Sequence, residues 1–168
     1  MCRQLLLLLA TLGLTQCSSR SSCPPLFTEI EGVCYFFSST IGAKANWYNA
    51  QAACQKLGTE HGVRIGLAEI GRYSGCASPD VELMKTVSDM RQPVWLGTSD
   101  SASEGTWVWQ HSRQILSIHS NMWYYTEPDS GPTVNCLTGW IYAPYRNRAY
   151  LADLQCTHVQ HYVCQKFT

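Results

Sequence analysis

Apolar and polar positions divide this chain into a helical front and a strand-rich back. From Asn46 to Leu57, the residues Trp47, Ala50, Cys54 and Leu57 recur at three- and four-residue spacing, the period of one helix face. Gly58 follows where a glycine that ends a helix belongs. A second helix is predicted to start at Ser78-Pro79-Asp80. Ser78 can cap it, Pro79 suits the first turn, and Asp80 and Glu82 complement the positive end of its dipole. Val81, Met84, Val87 and Met90 give it an apolar stripe, and the stretch 71–77 before it reads as a loop carrying Cys76.

Beyond Val94 the period changes to short strands and long loops. Val94 to Gly97 reads as a buried strand, Asp100 to Gly105 as a turn, and Thr106 to Trp109 as a second strand. Trp123 to Val134 is a long loop. Cys136 to Ile141, Ala149 to Asp153 and Tyr162 to Gln165 complete a small antiparallel sheet, and Cys34 to Phe37 adds a strand before the first helix. Two helices followed mostly by strands indicate an α+β domain. Trp95, Trp107 and Trp109 sit in strand patterns and are expected in the core.

The first residues change the picture of where this domain works. Arg3 gives a short positive region, and Leu5 to Leu14 is an apolar run of about ten residues, too short to span a bilayer. Residues 1–19 therefore read as a signal peptide, cut between Cys17 and Arg20, and residues 20–168 as one secreted, extracellular domain. Lys and Arg together number 12, as do Asp and Glu, so the net charge is zero and no basic patch points to nucleic acid or an anionic membrane. No Asn-x-Ser/Thr acceptor for N-glycosylation occurs.

Nine cysteines in a chain with an export signal imply disulfides rather than zinc, since no Cys-x-x-Cys pair is present. Cleavage after Cys17 leaves Cys23, Cys34, Cys54, Cys76, Cys136, Cys156 and Cys164, an odd set. Cys76, in a polar loop, is then expected to lack an intrachain partner and to link two chains as a homodimer. Cleavage before Cys17 would make the count even and allow a Cys17–Cys76 bond.

The candidate chemistry lies in the last third of the chain. Glu127 and Asp129 flank Pro128, and Asp153 stands three residues before Cys156. Hard oxygen ligands held near covalent crosslinks suit Ca²⁺, and a proline, above all a cis one, can fix the geometry of the two carboxylates beside it.

The order of these landmarks resembles the C-type lectin-like family over Cys23 to Gln165. The matching marks are Cys54 on the first helix, Trp95-Leu96-Gly97, Glu104-Gly105, Trp107-Val108-Trp109, Glu127-Pro128-Asp129, Cys136, Cys156 and Cys164. The type is similar to invertebrate perlucin-like single-domain lectins. The resemblance implies a C-type lectin-like fold: two helices, small antiparallel sheets and a long binding-loop region. It also implies the pairings Cys54–Cys164 and Cys136–Cys156, with Cys23–Cys34 of the longer family form. Spacing alone would leave fifteen connectivities for six cysteines. It further implies one Ca²⁺ beside the proline loop, with Glu127, Asp129 and Asp153 holding both the ion and sugar hydroxyls.

Against the family pattern, Ala152 replaces an amide ligand and Val134 a glutamate, in a loop one residue shorter, with Asn135 beside it. Three of five side-chain ligands remain, which implies calcium affinity weakened to roughly millimolar. Glu-Pro-Asp lies between the family's mannose-type and galactose-type triplets. Asp100 and Glu104 match a second family calcium site, with Ser130 where an aspartate is expected, or else form a surface turn. The implied function is a secreted carbohydrate-binding protein that recognises glycans through Ca²⁺, in innate recognition. The alternative is a calcium-independent module of the same fold that binds a protein or mineral surface.

No nucleophile motif supports an enzyme. Tyr142, Tyr145, Arg146 and Arg148 lie in a long loop near the implied site and could extend a binding surface. His158 and His161 are read on one strand facing opposite sides, and so not as a metal pair.

Overall fold

The computed structural model describes residues 23–71, 79–129, 131–141 and 149–168. Strands β1 (Thr28–Ile30) and β2 (Val33–Phe37) form a hairpin, and the Cys23–Cys34 bond fastens the preceding segment to β2. Helix α1 (Trp47–His61) begins at Asn46, whose side chain accepts the Asn49 amide at 2.9 Å. Trp47, Ala50 and Cys54 are buried on its inner face. The helix does not stop at Gly58, as the sequence suggests, but ends before Gly62, which takes the left-handed conformation. Gly58 serves close packing instead. A Cβ there would stand 2.7 Å from the Val63 carbonyl oxygen, so only glycine lets the last turns lie on β3 (Arg64–Leu67).

Helix α2 (Pro79–Met90) is present, but its stripe differs from the expected one. Leu83, Met84 and Val87 are buried, whereas Val81 is 66% exposed. The inward positions 80, 83, 84 and 87 keep helical spacing, yet the first is Asp80, whose carboxylate accepts the Gly71 amide at 2.6 Å. A polar residue at the head of the stripe hides its phase. Ser78, read as the cap, and Cys76, read as the dimer link, lie outside the described residues.

Strands β4 (Val94–Ser99), β5 (Trp107–Trp109), β6 (Ile115–Leu116), β7 (Cys136–Ile141), β8 (Ala149–Leu154) and β9 (His161–Phe167) complete the fold. Their order runs β1-β2-β9-β4-β5-β6, with β3 also on β9 and the β7–β8 pair on β4. The β4–β9 pairing is parallel and the others antiparallel. Strands β1, β3 and β6 span two to four residues, too few to show a period in the sequence. Gly97 is required where β4 passes the end of β3, because a Cβ there would meet the Leu67 carbonyl oxygen at 2.6 Å.

Two further bonds join Cys54 to Cys164 and Cys136 to Cys156. The first ties α1 to β9 across 110 residues, a closure that contributes on the order of 4 kcal/mol in the loop-entropy account. Trp95, Trp107 and Trp109 are buried, as expected. Trp47 Nε1 donates to Leu96 O at 2.9 Å and Trp95 Nε1 to Ala45 O at 3.0 Å, so these rings bring hydrogen bonds into the core along with their area. His161 opens β9, buried, with Nδ1 2.8 Å from Ala43 O; His158 precedes the strand in a turn and is exposed. His158 therefore does not share a strand with His161, as the sequence suggests, because β9 starts only at His161. No helix among the described residues is long and apolar enough to cross a membrane.

Candidate functional site

Strand β8 explains the position of Asp153. Its residues alternate, with Ala149, Leu151 and Asp153 buried and Tyr150, Ala152 and Leu154 partly exposed. The alternation therefore drives a carboxylate onto the inward side at the end of the strand. Opposite it in the β7 register stands Leu137.

Glu127 is brought to Asp153 by backbone bonds. Leu151 N donates to Met122 O at 2.8 Å and Tyr124 N to Leu151 O at 2.9 Å, so the loop runs along β8 before it turns. Trp123 anchors it: the ring is buried, packs edge-on against Trp107 with centroids 5.3 Å apart, and donates Nε1–H to Ser117 O at 3.0 Å. Glu127 N closes a turn on Tyr124 O at 2.8 Å, and the Glu127–Pro128 peptide is cis.

One carboxylate oxygen each from Glu127, Asp129 and Asp153 lies within 4.8 Å of the others. Glu127 is half-buried, Asp129 exposed and Asp153 buried. Both Asp153 carboxylate oxygens are buried, and neither meets a hydrogen-bond donor among the described residues. Glu127 Oε2 accepts a long bond, 3.5 Å, from the Asp153 amide. Burial, then a hydrogen bond shared with the Asp153 side chain, then the Asp153 and Asp129 charges push the Glu127 carboxyl up to about 8; the Asp153 amide pulls the other way. A proton on Glu127 would give Asp153 the donor it lacks. Such a site wants positive charge, as a proton or as a cation. Clustered carboxylates with unengaged oxygens fit a hard divalent ion, so the residues present pass the test for calcium.

The positions that depart from the family pattern are also in view. Ala152 lies one residue before Asp153 on the outward phase of β8 and contributes no ligand oxygen. Asn135 donates Nδ2–H to Pro132 O at 3.2 Å, and its Oδ1 is buried without a partner among the described residues. Asp100 is buried, its Oδ2 accepts the Gly105 amide at 2.9 Å, and Glu104 is exposed. That is the turn reading of Asp100 to Gly105; the two join no cluster of three or more such ligands among the described residues. The Asp100 carboxyl is pushed up chiefly by burial, with the Asp153 charge adding to it. Ser130, Tyr142, Tyr145, Arg146 and Arg148 lie outside the described residues.

Beside the three carboxylates is a cleft of about 380 Å³ lined by Tyr124, Tyr125, Thr126, Glu127, Thr138, Trp140, Ala152, Asp153 and Leu154. The sequence reading passed over Trp140. The signal was present: in β7, Leu137 faces the core, so Trp140 falls on the opposite phase of a two-residue repeat.

Comparison with known proteins identifies the family and the fold. The family model described as the lectin C-type domain matches residues 75–166, more than half of the sequence. The chain belongs to the C-type lectin domain family. It is 26% identical to CD209 antigen-like protein D of Mus musculus over 148 residues, 86% of this chain and 52% of that protein. It is 27% identical to C-type lectin domain family 4 member M of Nomascus concolor over 150 residues, 87% and 32% of the two. The lectin domain thus spans about half or less of these relatives' lengths.

Among solved structures, it is similar to the C-type lectin domain of murine dendritic cell inhibitory receptor 2 in complex with N-glycan (TM-score 0.66, 19% identity, 86% and 98% coverage). It is equally similar in fold to a Ca²⁺-dependent type II antifreeze protein in its Ca²⁺-free form (0.65, 25%, 86% and 100%). A calcium-independent type II antifreeze protein also shares the fold (0.64, 21%, 86% and 94%). The lectin domain is of a non-enzymatic, carbohydrate-binding type.

Proposed function

We propose that this chain is a secreted C-type lectin that binds glycans at Glu127, Asp129 and Asp153 with Ca²⁺, in innate recognition. The observation that supports it best is the buried Asp153 carboxylate, without a donor among the described residues and faced by two more carboxylates. Bound there, calcium would neutralise the three charges and offer open coordination positions to vicinal sugar hydroxyls. Glu127 and Asp129, on either side of Pro128, would accept hydrogen bonds from the same hydroxyls, with Asp153 supplied by β8. A solved relative of this fold is in complex with N-glycan, which supports the ligand class.

A glycan panel read with calcium and with a chelator tests the proposal, beside calorimetry of calcium binding at fixed ionic strength. Chelator-sensitive binding is the expected result, lost in Asp129→Ala with the fold intact. Ala152 and Val134 favour the second reading, a calcium-independent module for a protein or mineral surface. No calcium heat at several times roughly millimolar concentration, with glycan binding indifferent to chelator, would replace the first reading with the second.

A further inference from the structure

Strand β6 ends the order β1-β2-β9-β4-β5-β6, and among the described residues no strand pairs with its outer side. Its register on β5 sets Val108 against Ile115 and Trp107 against Leu116, and Trp109 N donates to Gln114 O at 2.9 Å. Facing residues of an antiparallel pair alternate between bonded and unbonded. With the bond at Trp109 and Gln114, the next pair is unbonded, so the N–H and C=O of Ile115 turn away from β5. The Ile115 side chain is 68% exposed, and Ile118 beyond it is 47% exposed. An open strand edge with apolar side chains is a template for another strand, which a lysine or proline on the edge normally blunts. β6 carries neither.

The charges along this edge are separated by end. Arg113, exposed, precedes β6 in the hairpin turn. Its φ of 61° lies in the region that favours glycine, so a long charged side chain is held there at a conformational cost. At the other end, Gly105 lines one shallow groove with Ile115, Ser117 and Ile118, which places the exposed Glu104 beside the far end of β6. One edge thus carries a cation, an apolar centre and an anion in sequence.

We propose that β6 is where two copies of this chain join, paired antiparallel about a two-fold axis at Ile115, so that the sheet runs from one copy into the other. A two-fold interface sets a surface against itself and requires that surface to be self-complementary. Here it is. Ile115 exchanges both backbone bonds with its counterpart, the two isoleucines cover each other, and Arg113 of each copy lies toward the Glu104 end of the other. Parallel pairing would instead set arginine beside arginine. Ser117, next along the chain, accepts Trp123 Nε1–H at 3.0 Å, so the joining strand leads into the residue that also holds the loop to Glu127. The dimer does not depend on the lectin reading.

Sedimentation velocity over a concentration series tests it, in chelator so that no ion contributes. Wild type should pass from monomer to dimer and go no further, and Cys76→Ser, which removes any link through that thiol, should behave the same way. Ile115→Lys sets like charges against each other on the axis and should stay monomeric, with the near-UV circular dichroism of wild type because Ile115 is exposed. Arg113→Glu and Glu104→Arg should each weaken association about tenfold, since the axis repeats the contact twice, and the double exchange should restore it. A wild type that stays monomeric overturns the proposal, as does a dimer that survives Ile115→Lys. A double exchange no tighter than its single variants rules out the antiparallel arrangement. Loss of the dimer in Cys76→Ser would assign it to the thiol, and growth beyond two copies would exclude the two-fold axis.

Discussion

Two buried carboxylates in this molecule are treated in opposite ways. Glu69 lies two residues after β3, fully buried, and its Oε1 accepts two backbone amides, His111 at 2.6 Å and Ser112 at 3.0 Å. It fixes the turn after β5 and is complete as folded. Asp153 is nearly as buried, yet neither oxygen meets a donor among the described residues, and two further carboxylates face it. A buried carboxylate is tolerated when its charge is answered by hydrogen bonds or an opposite charge. Glu69 is a piece of the scaffold. Asp153 is left for something the described residues do not supply.

The largest way to break the comparison is at Glu69. Glu69→Ala leaves two amides without their acceptor, and should destabilise the domain by about 3 kcal/mol in chemical denaturation, with or without calcium. Rescue by calcium would mean that Glu69 and Asp153 are not energetically separate.

Wild-type protein should then show the opposite dependence at the carboxylate cluster. Saturating calcium at about a hundred times its dissociation constant should add about 2.7 kcal/mol. The proton dependence without calcium has a definite sign. Glu127 is raised from its ordinary value of 4.5 to about 8 in the folded protein, chiefly by burial. The folded state therefore holds a proton that the unfolded state has already lost. Its contribution is fully present below the unfolded pKa and is lost as pH rises through the folded one, so the calcium-free melting temperature should fall between about pH 4.5 and 8. Calcium displaces that proton, so its affinity should rise over the same window. A flat calcium-free melting profile would show that Glu127 does not share its proton with Asp153.

Asp153→Asn sharpens the comparison with a smaller effect of reversed sign. Above about pH 8, where Glu127 has lost its proton, it removes the unanswered charge and provides an amide that can donate to Glu127, so the calcium-free domain should gain about 1–2 kcal/mol. The same substitution should abolish stabilisation by calcium. A loss of stability without calcium would mean that the Asp153 charge is already answered in the folded chain.

How much of this was legible in the sequence follows from how each feature is encoded. Cys54 on α1 and Cys164 on β9, like Trp95 and Gly97, could be placed because each is tied to a local pattern or to a familiar order of landmarks. Glu127, Asp129 and Asp153 were nameable for the same reason. The phase of α2 was not, since Asp80 occupies a core position through a bond to Gly71 that only the fold reveals. The end of α1 was misread because Gly58 is required by contact with Val63 rather than by its own backbone angle. The difference between Glu69 and Asp153 is equally invisible, for it depends on which amides a turn forty residues away presents. Trp140 lay between: its strand phase could be read, but the cleft it lines needs Tyr124 and Tyr125, which reach it through the backbone pairing of the loop with Leu151.

The smallest expected effect asks whether the site can be made more complete. Ala152 stands beside Asp153 on the outward phase of β8 and lines the cleft over Glu127. An asparagine there would place an amide oxygen next to two carboxylates without adding charge or displacing a core residue. In Ala152→Asn, calcium should bind roughly tenfold tighter, about 1.4 kcal/mol, because affinity follows the number of oxygens the site offers. Stability without calcium should not rise, since a neutral amide does little for the Asp153 charge. This separates the variant from Asp153→Asn, which stabilises the calcium-free protein and loses the ion. Calorimetry on the two beside wild type decides the matter. An unchanged calcium affinity in Ala152→Asn would mean that this strand position does not face the ion, and that the three carboxylates alone set how tightly it is held.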